Sequence, residues 1–181
     1  IRHTAPHQMR CAHCGPADQR ARRVIVFRGL PGCGKSTLAR RIHAAEGGWI
    51  AERDLLRLAV SPGGWPHGRK RDEDALTYLQ VTAAEMAYVA GESLVIVPDT
   101  NLVDAHVTPW AMFAGQWGAD LVVIDMRSVP LEVCIARDAP RQGTPGYLGA
   151  ELITAQWREH IEPLGLTPAP ADLSAHGPDA Q

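Results

Sequence analysis

Val24-Ile25-Val26-Phe27-Arg28-Gly29-Leu30-Pro31-Gly32-Cys33-Gly34-Lys35-Ser36-Thr37 decides the fold. Four consecutive apolar residues read as a strand buried on both faces. Gly29 to Ser36 then match the pattern GxxxxGK[ST] in full, and the residues after Ser36 read as a helix up to Glu46, stopped by Gly47-Gly48. Strand, glycine-rich turn and helix in that order are the context a phosphate-binding loop requires. Glycines let the backbone curl so that successive N–H groups face phosphate oxygens. The helix N-terminus adds partial positive charge. Gly29, Pro31, Gly32, Cys33, Gly34, Lys35, Ser36 and Thr37 are therefore the expected triphosphate contacts. Lys35 reaches the β- and γ-phosphates, and the Ser36 hydroxyl ligates Mg²⁺. Cys33 fills a small-residue slot and is not expected to act as a nucleophile.

Outward from this loop the chain alternates strands and helices. Trp49-Ile50-Ala51, Leu94-Val95-Ile96-Val97 and Leu121-Val122-Val123-Ile124 read as further strands. Helices are expected at 54–60, 72–90, 104–117, 130–138 and 149–162. In the helix from Asp72, the residues Leu76, Leu79, Ala83, Met86 and Ala90 recur at spacings of three and four and predict its apolar face. Continuous apolar strands alternating with helices imply an α/β fold, a parallel sheet with helices on both faces. In such folds chemistry gathers at the carboxyl ends of the strands.

Composition bounds the rest. The 181 residues are 45% hydrophobic and 21% charged with a net charge of −2, an ordinary globular make-up that excludes a uniformly basic nucleic-acid wrapper. Cations are 16 Arg and only two Lys, Lys35 and Lys70. No apolar run has the roughly 18–20 residues of a membrane span, and the first residues lack a secretory apolar core. A cytoplasmic protein is expected, in the host cytoplasm if phage-encoded. Residues 1–22 read as a basic, loosely ordered extension, 23–166 as the catalytic domain and 167–181 as a Pro/Ala-rich tail. Cys11 and Cys14 form a CxxC without a second half-site, so a zinc ion there is possible in principle but not favoured over an unligated tail.

Several residues can complete a phosphoryl-transfer site. Asp54, after the second strand, is either a general base for an attacking hydroxyl or the cap of the next helix. Arg57, one turn on, either grips an acceptor phosphate or is a solvated surface cation. Asp99-Thr100-Asn101 follows the third strand. Asp99 is placed to hold Mg²⁺, directly or through waters and the Ser36 hydroxyl, unless the three residues merely form a turn. Arg137 and Arg141, four apart before Gly143, are either lid cations that neutralise the transferring phosphate or a decorated helix end.

Taken together, GLPGCGKST, RDLLR, VPDTNL and RDAPRQGTP resemble the phage polynucleotide 5′-kinase family, in order and with similar spacing from about Val24 to Leu166. That resemblance implies an adenylate-kinase-like P-loop fold with a short lid at about 137–148, and transfer of the ATP γ-phosphate, with Mg²⁺, to a 5′-hydroxyl end of DNA or RNA. It makes Asp54 the general base and Arg57 the holder of the acceptor's 3′-phosphate. Asp99 becomes the acidic residue beside the phosphate loop and metal. Asp99, Thr100 and Asn101 fall on the acceptor side, and Arg137 and Arg141 on the donor phosphates, with Lys35 and Arg141 joining Asp54 in catalysis. No DxDGT signature is present, so kinase activity without a 3′-phosphatase is expected. Single-stranded or frayed nucleic acid would be the partner, with Trp65, His67, Arg69, Lys70 and Arg71 offering stacking and charge. The alternatives are a DNA kinase acting on a hydroxymethylated base, a kinase for a nucleoside, sugar or antibiotic hydroxyl, and a non-catalytic nucleotide-binding regulator.

Overall fold

A computed structural model describes residues 21–60, 70–144 and 146–168. Cys11, Cys14, Trp65, His67 and Arg69 lie outside the described residues, as do the side chains of Lys70 and Arg71.

The strands are β1 (Arg23–Arg28), β2 (Trp49–Ile50), β3 (Leu94–Val97) and β4 (Asp120–Asp125). They form one parallel sheet in the order β2-β3-β1-β4. The helices are α1 (Lys35–Glu46), α2 (Arg53–Val60), α3 (Lys70–Val89), α4 (Asp104–Trp117), α5 (Leu131–Asp138) and α6 (Ala150–His160). This is the P-loop kinase fold expected from the sequence.

Alternation along the two central strands explains why helices lie on both faces. Val24 and Val26 of β1, with Val95 and Val97 of β3, pack against Ala84 and Tyr88 of α3 and Trp110, Phe113 and Ala114 of α4. Ile25 and Phe27, with Leu94 and Ile96, turn the other way onto Ala39, Leu38 and Ile42 of α1. Each such side chain contributes roughly 1.5–3 kcal/mol when taken fully out of water. A third cluster joins Leu30 and Cys33 of the phosphate loop to Cys134 of α5 and Ile153 of α6, so the loop rests on a packed floor.

Three expectations need correction. The helix predicted from Asp72 begins at Lys70. Its buried face is not the predicted one: Leu79 is 36% and Met86 60% exposed, while Leu76, Gln80, Ala84, Ala87 and Tyr88 are buried. A polar Gln80 interrupts the true stripe, so the apolar spacing pointed to the neighbouring face. Finally, β4 is an edge strand with Val122 and Val123 39% and 43% exposed, so its apolar run is not buried on both faces. Among the described residues no helix is long and apolar enough to cross a membrane.

Candidate functional site

β1 ends under the phosphate loop, and the loop is fixed from three sides. Gly29 N–H donates to the Thr100 carbonyl at 2.9 Å. Asn101, in the left-handed region at φ 40° and 4% exposed, donates from Nδ2 to the Phe27 carbonyl at 2.9 Å. Arg28 donates to the Asn101 and Leu102 carbonyls, both at 2.9 Å, and pairs with Asp104. Thr100 and Asn101 therefore strap β3 to β1 behind the loop, with the Asn101 amide nitrogen engaged by the Phe27 carbonyl.

Inside the loop, the Lys35 ammonium donates to the carbonyls of Gly29 at 2.9 Å and Leu30 at 2.7 Å and is 7% exposed. It closes the cup from within. Gly32 sits at φ +81°, and a Cβ there would lie 2.2 Å from the Cys134 carbonyl oxygen. A side chain in the left-handed region costs roughly 1–2 kcal/mol, and overfilling a packed contact roughly 1–3 kcal/mol more. Gly32→Ala is thus expected to lower unfolding free energy by roughly 2–5 kcal/mol, read from the midpoint of urea unfolding.

Acidic and cationic side chains line the strand ends. The Ser36 hydroxyl donates to Glu52 Oε1 at 3.3 Å, and Arg40 lies 3.6 Å from Glu52 Oε2. Asp99 accepts from Gln80 Nε2 at 2.7 Å and from Arg53 N at 3.4 Å, with Arg53 Nε 3.5 Å away. Burial pushes the Asp99 carboxyl up, opposed by the Arg53 charge and the Gln80 hydrogen bond and reinforced by nearby Asp54.

Asp54 projects from the first turn of α2 with its side chain 67% exposed, and Arg57 reaches it at 2.5 Å. Arg57 is only 12% exposed and also donates to both Glu73 oxygens at 2.7 Å. Of the two sequence readings of Arg57, the solvated surface cation gives way to a held guanidinium. Arg53 binds the same Glu73 at 3.0 Å and Thr77 Oγ1 at 2.8 Å. Burial alone would raise the Glu73 carboxyl, but Arg57 first and Arg53 second hold it below the usual carboxylate range. On α4, His106 is kept less basic than usual by burial and by the charges of Arg53, His160 and Arg28.

Arg137, near the end of α5, donates to the Cys33 carbonyl at 3.3 Å, and a Cβ on Gly34 would lie 3.6 Å from its guanidinium. Arg141 lies exposed in the short 3-10 turn Ala139–Arg141. Between these arginines, buried Asp138 accepts from Leu148 N at 3.2 Å and Gly149 N at 2.8 Å. It pins both ends of the intervening segment.

The structure thus places the loop, Asp54, Arg57, Asp99 and Arg137 at the carboxyl-end side of the parallel sheet. Sequence reasoning missed Glu52, Glu73, Gln80 and Asp138. Glu73 meets Arg57 only through packing of α2 on α3, and nothing in the local sequence marks that contact. Hard oxygens at Ser36 and Glu52, beside a phosphate loop, are donors that suit Mg²⁺.

A family model described as AAA domain matches residues 24–164. Among solved structures, APS kinase CysC of Mycobacterium tuberculosis, in complex with AMPPNP and APS, is similar at TM-score 0.52 and 20% identity, over 67% of this chain and 70% of that one. A chain of the Pnkp1/Rnl/Hen1 complex is similar at TM-score 0.54 and 24% identity over 65% of this chain. The match spans only 39% of that longer chain. The Deinococcus radiodurans tunicamycin resistance protein is similar at TM-score 0.53 and 20% identity, over 76% and 79% of the two chains. At these identities the likeness is one of fold.

Proposed function

The chain belongs to the AAA domain family, with a fold like that of an APS kinase; on that premise we propose that it is a P-loop kinase, a polynucleotide 5′-hydroxyl kinase. One observation carries the reading. An exposed carboxylate, Asp54, is tied at 2.5 Å to a guanidinium, Arg57, beside the phosphate loop. A nucleotide-binding regulator needs neither. A kinase needs a base for the acceptor hydroxyl and a cation next to it.

The loop N–H groups and Lys35 hold the ATP phosphates. The acceptor 5′-oxygen forms the new bond to the γ-phosphorus, the bond to the ADP oxygen breaks, and Asp54 takes the hydroxyl proton. Arg137 and Arg141 face the donor phosphates, with the segment at about 137–148 acting as the lid. Mg²⁺, when bound, offsets charge on the β- and γ-oxygens, and Ser36 with a nearby carboxylate would hold it. Arg57 grips a 3′-phosphate of the acceptor.

A second reading, a kinase for a small-molecule hydroxyl, is favoured by the engagement of Arg57 with Glu73 at 2.7 Å, which leaves that guanidinium little room for another anion. Two of the similar structures, an APS kinase and a tunicamycin resistance protein, support it at the level of fold. Incubation with γ-labelled ATP and a panel of 5′-hydroxyl oligonucleotides, hydroxymethyluracil DNA, nucleosides and aminoglycoside or sugar alcohols separates the readings. Label on the oligonucleotide 5′ ends is expected. Label confined to small molecules overturns the polynucleotide reading, and label on the modified base redirects it. In the same assay Arg57→Ala should lose about 10–100-fold more kcat/KM on acceptors with a 3′-phosphate than on those without, the worth of one charge-assisted contact.

A further inference from the structure

We propose that Glu52 is the carboxylate that holds the magnesium shell on the donor side of the site, in the place the sequence assigned to Asp99. The inference rests on the ATP-dependent reading above and adds a residue to it.

A serine hydroxyl has one proton and two lone pairs. Here the proton points at Glu52 Oε1, 3.3 Å away. That leaves the lone pairs of Ser36, the second residue of α1, open to a cation lying against the loop. Magnesium keeps several waters and takes one or two carboxylates plus substrate phosphates. One serine and one glutamate beside a phosphate loop are a sufficient protein contribution.

Glu52 is also placed rigidly. On one side, Ala51 is fully buried, donates from N to the Ile96 carbonyl at 2.7 Å and accepts from Gln80. On the other, Arg53 N is directed at Asp99. The Glu52 side chain is 19% exposed, and its cationic neighbour Arg40 is 65% exposed and 3.6 Å away, a loose contact that an ion can displace.

Asp99 is differently employed. Its Oδ2 accepts from Gln80 at 2.7 Å with Arg53 Nε at 3.5 Å, and its Oδ1 takes Arg53 N. Both oxygens orient neighbours. Asp99 positions Arg53, and through it the turn that carries Glu52 and Asp54; it does not receive the ion's waters.

The test uses Mn²⁺ as the probe, followed by electron paramagnetic resonance with the full chain and AMPPNP. Glu52→Gln is expected to weaken Mn²⁺ binding in the nucleotide complex by about 10–100-fold, the usual effect of removing an outer-shell partner. Affinity for metal-free AMPPNP should stay within about twofold, which also reports an intact loop. Asp99→Asn should leave Mn²⁺ affinity within about threefold. Unchanged Mn²⁺ binding in Glu52→Gln, or a larger loss in Asp99→Asn, overturns the proposal. So does a wild-type AMPPNP complex that takes up no Mn²⁺ when the ion is supplied. If no oligonucleotide is phosphorylated while the Glu52 effect persists, the acceptor reading fails and the Glu52 assignment is supported.

Discussion

Asp54→Asn is expected to bind ATP as the wild type does and to turn over about 10²–10⁴-fold more slowly, the range a positioned general base contributes. The substitution keeps the side chain's shape and removes only its ability to take a proton. Two features keep the effect clean. The Asp54 side chain is 67% exposed, so folding stability should change by no more than about 0.5 kcal/mol. Arg57 loses one ionic partner but keeps both Glu73 oxygens at 2.7 Å, so the α2–α3 contact survives. The measurement is single-turnover transfer from labelled ATP beside a separate titration of nucleotide affinity. A fall in kcat with unaltered nucleotide affinity marks an interaction made only in the transition state. Retention of turnover within about tenfold would make Asp54 a mere tether for Arg57.

The expected division between Asp54 and Asp99 follows from their surroundings. Both are carboxylates at strand ends, close enough for Asp54 to bear on the titration of Asp99. Asp99 is buried and hydrogen-bonded, a group that fixes geometry. Asp54 is open to solvent and to an incoming hydroxyl, with a guanidinium turning it. Two neighbouring carboxylates in contrasting environments are a recurrent way to separate roles.

How far the sequence reveals this arrangement depends on the range of the contact involved. The loop from Gly29 to Ser36 is legible because its function is backbone curvature, which glycine spacing encodes locally. The strands are legible because burial on both faces demands an uninterrupted apolar run, as in Leu94–Val97. The face of α3 is not, because Gln80 lies in the buried stripe for the sake of Asp99 and Ala51, contacts made by residues far along the chain. Apolar periodicity cannot anticipate a buried amide whose partners lie on other elements. The same holds for Glu73, whose partners Arg53 and Arg57 are 16–20 residues away on another helix. Asn101 is an intermediate case: the turn was legible from residue type, but its amide is engaged by the Phe27 carbonyl because β3 lies beside β1. The edge position of β4 depends on strand order, which no single strand's sequence specifies.

Lys35→Arg should be as damaging as Lys35→Ala, each lowering kcat/KM on the order of 10²–10³, the loss when one donor is removed from an electrostatic cradle. This is a demanding expectation in a chain with 16 Arg and two Lys, where arginine is the default cation. The reason is spatial. The Lys35 ammonium lies between two carbonyls at 2.9 and 2.7 Å, with Cys33 Sγ 3.7 Å away, and is 7% exposed. A compact point charge with three donors fits that volume; a planar guanidinium, wider and with its donors in a fixed fork, does not. Cys33 and Cys134 fill the space behind it, so the loop cannot widen without disturbing the packed floor. Transfer kinetics and nucleotide affinity should fall together for both variants, because the ammonium meets the phosphates before and during transfer. If Lys35→Arg retained activity within about tenfold of wild type while Lys35→Ala lost it, charge alone would suffice and the steric account of the loop would be wrong. Failure of both, with unchanged unfolding midpoints, would locate the requirement in the size of the cation. It would also explain why lysine persists at this position in an arginine-rich chain.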